Sequence, residues 1–336
     1  MRPLVVVPFL LVTPFLSAED VTVRKLTDRV VVVTSDPWGT NVVGVKTEQG
    51  IVVVDTHLSP SIGRRCRAAI ETAFGQSKLA YVVNTHFHLD HAGGNRAFDG
   101  VTIVGHENAR PLQEPAELLG WAKSTLDQGR KRLTEVGPAS EEGKRVARGN
   151  ALWEEVIADY ASPQIAVPPS LTFDDRMTLH LGDVTMRLIY FGRAHSTSDI
   201  LVFLPEEKVL VAGALVAPGQ LAGGHTTDEW DVPRWLSAFD AVLPGGEAPA
   251  YVVPGHGGVM TGAELVRGRE YLGKLWVAVT EMQRRGATLE QAKSELALER
   301  RFPEYRDLRQ KNWAGQDVHT KNLDAFWRCA ERLARP

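Results

Sequence analysis

The sequence predicts an α/β protein built from layered sheets and helices, on three observations. Short β-branched runs separated by turn residues open the chain, a strand, helix, strand succession follows them, and a similar order returns in the second half. At 336 residues with 43% hydrophobic content, the chain is long enough for one large domain or two ordinary ones and apolar enough to fill a core.

The elements follow in order. Val21–Val23, Arg29–Thr34, Asn41–Lys46 and Ile51–Val54 read as a meander of strands, with Gly39-Thr40-Asn41 and Glu48-Gln49-Gly50 supplying turns. Ser61–Phe74 reads as a helix, and Leu79–Val83 as an apolar strand that runs directly into Asn84-Thr85-His86. From Glu107 to about Ala161 the pattern is helical. Leu119, Ala122, Leu126 and Leu133 lie on one face, and Trp153, Val156, Ile157 and Tyr160 on another; Gly137-Pro138 breaks the two, and charged Glu141–Arg148 lies between them as a solvated face. This insertion, about 107–161, either covers a pocket or packs on the sheet.

Strands resume at Leu171, Arg176–Leu181, Val184–Tyr190, Asp199–Leu204 and Val209–Ala212, then a helix near Pro233–Val242 and a strand at Tyr251–Val253. Beyond Thr261 the chain reads as helical, with capping-box spacing at Thr261/Glu264 and Thr288/Gln291. The domain division that results is 1–18, 19–265 and a helical extension over 266–336.

Met1-Arg2-Pro3 followed by a short run, apolar except for Thr13, to Leu16-Ser17-Ala18 is the pattern of a cleavable secretory signal, so residues 1–18 are expected to be removed and the protein to be secreted or periplasmic. The run is too short to span a bilayer well, and no later segment is apolar enough to do so. The 38 Lys and Arg against 41 Asp and Glu give a net charge of -3 with no basic stripe, which argues against nucleic acid and for a small-molecule substrate. With only two cysteines, Cys66 and Cys329, there is no disulfide framework and no cysteine-based metal cluster.

The informative segment is His86-Phe87-His88-Leu89-Asp90-His91. Three imidazoles and a carboxylate fall within six positions directly after an apolar strand, and His86 and His88 project to one side of an extended stretch. Neutral imidazole with carboxylate suits zinc, and packing alone has no need for such a density.

This HxHxDH segment resembles the motif of the metallo-β-lactamase superfamily. Val52-Val53-Val54-Asp55-Thr56 is similar to its strand ending in a buttressing Asp, Gly192-Arg193-Ala194-His195-Ser196-Thr197 to its Gly-x-x-His-(Ser/Thr) loop, and Val253-Pro254-Gly255-His256-Gly257 to its closing turn. The resemblance implies an αββα sandwich, one metal on His86, His88 and His195, a second on Asp90, His91 and His256, and Asp55 supporting them from behind. It also implies hydrolysis, hydroxide at the metal centre attacking an amide, lactam, thioester or lactone carbonyl, with Asp90 orienting the nucleophile. In one respect the chain departs from the family: Ala214 stands where many members place an Asp bridging the two metals. One or two zinc ions are therefore expected, two favoured on the ligand count, and the imidazole-rich set favours zinc over iron or manganese. A β-lactamase specifically, and a non-catalytic metal-binding protein, are the alternative readings.

Other residues carry weaker expectations. His225, in the glycine-rich Leu221–Thr226, is a candidate substrate contact. His57 beside Asp55 reads as a supporting or turn residue, His106, His180 and His319 as structural, and Trp121, Trp153, Trp230 and Trp235 as core more than pocket lining.

Overall fold

The computed structural model describes residues 21–35, 39–111, 115–162, 165, 167–220, 230–243, 248–311 and 317–334. The expected signal segment and His225 lie outside them. Within them, strands β1 (Val21–Lys25), β2 (Val30–Ser35), β3 (Thr40–Thr47) and β4 (Gly50–Val54) form an antiparallel meander, after which helix α1 (Pro60–Phe74) crosses over to β5 (Leu79–Val83), parallel to β4. Short helix α2 (Leu89–Ala92) carries Asp90 and His91. Strand β6 (Thr102–His106) follows, then α3 (Pro115–Val136) and α4 (Glu141–Asp159), and β7 (Leu171–Phe173) closes a seven-stranded sheet in the order β1 to β7. The second sheet has β8 (Arg176–His180), β9 (Thr185–Tyr190), β10 (Ile200–Leu204) and β11 (Val209–Gly213) antiparallel, then helix α5 (Val232–Val242) and β12 (Tyr251–Pro254) parallel to β11. Each sheet thus ends its meander with one crossover helix and a parallel strand.

The valine runs explain the layering. Val30 and Val32 of β2 join Val52, Val54, Leu188, Val202 and Val211 between the sheets, while Val31 and Val33 pack outward with Ile62, Cys66 and Ile70 of α1. A strand buried on both faces needs no polar alternation, which is why the run reads as continuous. On the far side of the second sheet, α5, α6 (Gly262–Arg284), α7 (Leu289–Glu295), α8 (Leu298–Arg301) and α9 (Val318–Ala334) cover Leu201, Phe203 and Leu210. The result is a helix, sheet, sheet, helix sandwich.

The inserted pair α3 and α4 belongs to the α1 layer. Leu118, Ala122 and Leu126 meet Leu152, Trp153 and Val156 there. Arg65 makes two bonds to Glu155, at 2.7 and 2.9 Å, and Asp159 accepts from the Ser61 amide and hydroxyl, both at 2.9 Å. The charged Glu141–Arg148 is the first half of α4, capped by Ser140. The four tryptophans pack in these two helical layers: Trp153, Trp230 and Trp235 are buried, and Trp121 meets Trp153 edge-on.

Both capping boxes form, at Thr261 and Thr288, and α6 runs through the position at which the sequence reading divides domain from extension. A buried relay fastens the C-terminal helices: Asn322 donates to the Tyr271 oxygen at 3.1 Å, Tyr271 donates to His319 Nδ1 at 2.8 Å, and His319 Nε2–H donates to the Leu296 carbonyl at 2.7 Å. Tyr271→Phe removes the hydroxyl that bridges Asn322 and His319 and is expected to cost about 1–3 kcal/mol in urea unfolding. Cys66 and Cys329 are both buried and free. Among the described residues no helix is long and apolar enough to cross a membrane.

Candidate metal centre

Parallel pairing of β4 with β5 puts Val54 opposite Val83, so Asp55 and the Asn84–His86 stretch leave the sheet at the same edge. The Asp55 amide donates to the Val83 carbonyl at 2.8 Å. Its carboxylate accepts from the Thr85 amide and hydroxyl, each at 2.8 Å, and contacts His91 Nδ1 at 2.8 Å. Asp55 is 2% exposed, so these contacts fix both the motif strand and the ring of His91 from behind.

The second half delivers the remaining residues to that edge. Ile200 donates to the Thr85 carbonyl at 2.9 Å and the Phe87 amide to Ser198 Oγ at 3.1 Å, which ties the motif to the β9–β10 loop holding His195. Asn41 Nδ2 donates to the carbonyls of Pro254 and Gly257, both at 2.8 Å, fixing the turn that carries His256. A Cβ at Gly255 would lie 2.7 Å from His91 Cε1, so only glycine lets that turn approach so closely.

The six residues converge. His86 and His91 are fully buried and form the floor; His88, Asp90, His195 and His256 are partly exposed and form the rim. His88 Nδ1 and His195 Nε2 are 2.9 Å apart, and the ligand atoms of His86, His88 and His195 all lie within 4.8 Å of one another, as do those of His86, Asp90 and His91. Asp90 Oδ2 is 3.3 Å from His91 Nε2 and 3.0 Å from His256 Nε2, and those two nitrogens are 3.3 Å apart. With metal–ligand distances of roughly 2.0–2.1 Å, the edge of a zinc tetrahedron is about 3.3 Å, so the Asp90, His91 and His256 triangle fits a cation of that size. Moreover, His86 Nε2 is buried and has no protein partner. A nitrogen held so, among three other imidazoles, suits coordination better than packing.

Electrostatics agree with the shape. Burial, then the neighbouring imidazoles, hold His86 well below its ordinary value and therefore neutral, the form that ligates. Burial would push Asp90 up, but the charge of His91 and hydrogen bonds from His256 and His91 reverse it, leaving Asp90 well below the usual carboxylate range. His91 is raised to about 10: burial opposes its charge, and the flanking Asp90 and Asp55 outweigh burial. A cation in this group takes the place of that proton.

Residues 35–256 match the model of the metallo-beta-lactamase superfamily. The chain belongs to that superfamily. The chain is 25% identical to a metallo-beta-lactamase type 2 of Bacteroides fragilis over 173 residues, 47% of this chain and 68% of that protein. It is 24% identical to a linear primary-alkylsulfatase of a Pseudomonas species over 235 residues, 66% of this chain but only 42% of the relative. Among solved structures, a metallo-beta-lactamase from Pontibacter korlensis superposes with a TM-score of 0.52 at 21% identity, covering 75% of this chain and 99% of that one. These likenesses agree with the αββα layering, and a His/Asp cluster at the sheet edges is where the superfamily resemblance places a metal.

Ala214 directly follows the last residue of β11, Gly213, and its amide lies against the Gly255 turn, so the position without a carboxylate is at the centre. Sequence reasoning passed over the polar support beneath the motif. Asn84 and Asn95 exchange side-chain amide bonds at 3.0 and 2.8 Å, and Thr56 donates to Asn95 at 2.8 Å. Their signal was only a polar residue at each end of the motif. His106 is structural: its Nε2–H donates to the Asp174 carbonyl, Nδ1 accepts from the Asn108 amide, and the ring stacks on Tyr190.

Asp199, beyond His195, was also missed as a titrating group. It accepts from the Ser196 amide at 2.5 Å, and burial pushes its carboxyl up to about 7 despite the hydrogen bonds from Ser196. Because the folded state holds this proton more tightly than an unfolded Asp, the associated stability is full below about pH 4 and is lost as pH rises through 7. The expected decline between pH 5 and 8 is about 2 kcal/mol, and Asp199→Asn should flatten it in denaturant melts across that range.

Proposed function

We propose that the chain is an exported zinc-dependent hydrolase that attacks a carbonyl-type bond, an amide, lactam, thioester or lactone, in a small molecule. The observation that carries this reading is the convergence of six ligand side chains, Asp90, His91 and His256 at the edge lengths of a zinc tetrahedron and His86, His88 and His195 with ligand atoms within 4.8 Å of one another. Zinc bound there supplies a Lewis acid and water ionised near neutral pH. The rest is done by the chain. His86 and His91 form a floor closed to solvent, and Asp55 with Thr85 holds that floor in register. Asp90, kept ionised, orients the attacking water by accepting a hydrogen bond from it. Two ions are favoured because three side chains remain at the second group without a carboxylate at position 214. Export to the periplasm or medium rests on the Met1–Ala18 pattern.

A β-lactamase is the specific alternative, supported by the relatives named above and by Ala214. Metal content by mass spectrometry comes first. About two zincs per chain supports the two-ion hydrolase, about one restricts it to His86, His88 and His195, and none after zinc addition overturns it. Hydrolysis of nitrocefin, a thioester, a lactone and an aryl sulfate, with and without a chelator, then separates the classes. Chelator-sensitive turnover of a carbonyl substrate is expected, nitrocefin turnover selects the β-lactamase, and turnover of the sulfate alone would overturn carbonyl chemistry.

A further inference from the structure

The segment Asp55–Ser59 joins β4 to α1 beside the centre; Asp55 and His57 in it have positive φ, and His57 Nε2 and Ser59 Oγ are buried without hydrogen-bond partners. His57 has φ of 69°, in the left-handed region that few residues other than Gly, Asn, Asp and His enter, and it is 0% exposed. Its Nδ1 accepts from the Leu58 amide at 2.8 Å, so in the neutral ring the hydrogen sits on Nε2. That Nε2 is buried and has no hydrogen-bond partner in the protein. The charged groups that act on the ring are, in order, His256, His91, Asp90 and Arg65, three of them the second ligand group itself. The backbone is bound there too: the Gly94 amide donates to the His57 carbonyl at 2.9 Å and the Thr56 amide to the His91 carbonyl at 2.7 Å.

An unpaired buried donor and a strained backbone are each unfavourable, and costs of this kind persist where the surroundings impose them for a purpose. His57 is not itself a ligand, since Nδ1 is engaged by Leu58 and Nε2 carries the hydrogen. We infer that His57 is a positioning residue for the second ligand group: its Nε2–H donates to a water shared with the Asp90 carboxylate, holding that carboxylate where it converges with His91 and His256. The inference rests on reading those three residues as a metal-binding group.

The test is competitive zinc titration of the purified chain and two variants, alongside thermal melts of the metal-free forms. His57→Gly removes both the donor and the strain, while His57→Asn tolerates the same backbone and restores an N–H donor. Loss of such a supporting contact is expected to weaken the second zinc by tenfold or more in His57→Gly and leave the first unchanged, with His57→Asn recovering most of the loss. A purely structural role predicts a Gly variant whose metal-free melt falls, because a fully buried ring is deleted, but which binds both ions as the native chain does; that unchanged binding, or an Asn variant as weak as the Gly variant, overturns the inference. If the native chain binds a single ion, the inference falls while the first group stands; if it binds none, both fall.

Discussion

His86→Ala is expected to fold normally, to hold no more than one zinc ion, and to lose hydrolysis by about 10³-fold or more, some 4 kcal/mol of transition-state stabilisation. His86 belongs to both sets of converging ligand atoms, and its Nε2 has no partner in the protein. Removing the ring therefore leaves only the 3.0 Å contact between Nδ1 and Thr85 Oγ1 unmade, and the Thr85 hydroxyl keeps Asp55 as its acceptor. The metal-free variant should melt close to the metal-free native chain. Metal analysis, melting and turnover check the three parts separately, and a variant with two zincs and full turnover would remove His86 from the centre.

Asp55→Ala is expected to fail differently, losing stability before any metal is considered. The carboxylate satisfies the Thr85 amide, the Thr85 hydroxyl and His91 Nδ1 at a site closed to solvent. Its loss strands three buried groups, one of them on an imidazole drawn toward its charged form, at a cost of about 3–5 kcal/mol. Zinc affinity at the second group should fall about 10–100-fold because His91 loses its orientation. Chemical unfolding of the metal-free proteins separates the two variants: Asp55→Ala shifts the midpoint and His86→Ala does not. Equal midpoints would mean that Asp55 does not brace the site.

These two variants also mark what a linear reading can and cannot reach. His86, His88, Asp90 and His91 are adjacent in sequence, so their chemistry was legible as a cluster, and the repeated strand, helix, strand order gave the layers. Strand β6 was passed over because Thr102–His106 is short and abuts a helical pattern; its place is decided by parallel pairing with β5, a contact invisible to periodicity. Glu141–Arg148 was legible as a solvated face, and it is the charged first half of a helix whose large apolar residues come later, at Leu152, Trp153 and Val156. The Asn84–Asn95 exchange and the buried carboxyl of Asp199 stayed hidden because hydrogen bonding and desolvation depend on what the fold places around a residue. His57 is the sharpest case: nothing about a histidine after Asp-Thr announces a left-handed backbone and an unpaired nitrogen.

The matching crossovers, β4–α1–β5 in one sheet and β11–α5–β12 in the other, have a mechanical consequence. His88 and His195 are 107 residues apart in the chain, His91 and His256 165 apart, and each pair spans the gap between the sheets. A cation gripped by both partners closes those long loops as a cross-link does, taking freedom mainly from the unfolded chain. On the proposed reading, the bound ion would also be a rivet between two half-molecules, and its departure would slacken that joint. Calorimetry should register this as a single sharp transition in the zinc-loaded protein that broadens when a chelator is added.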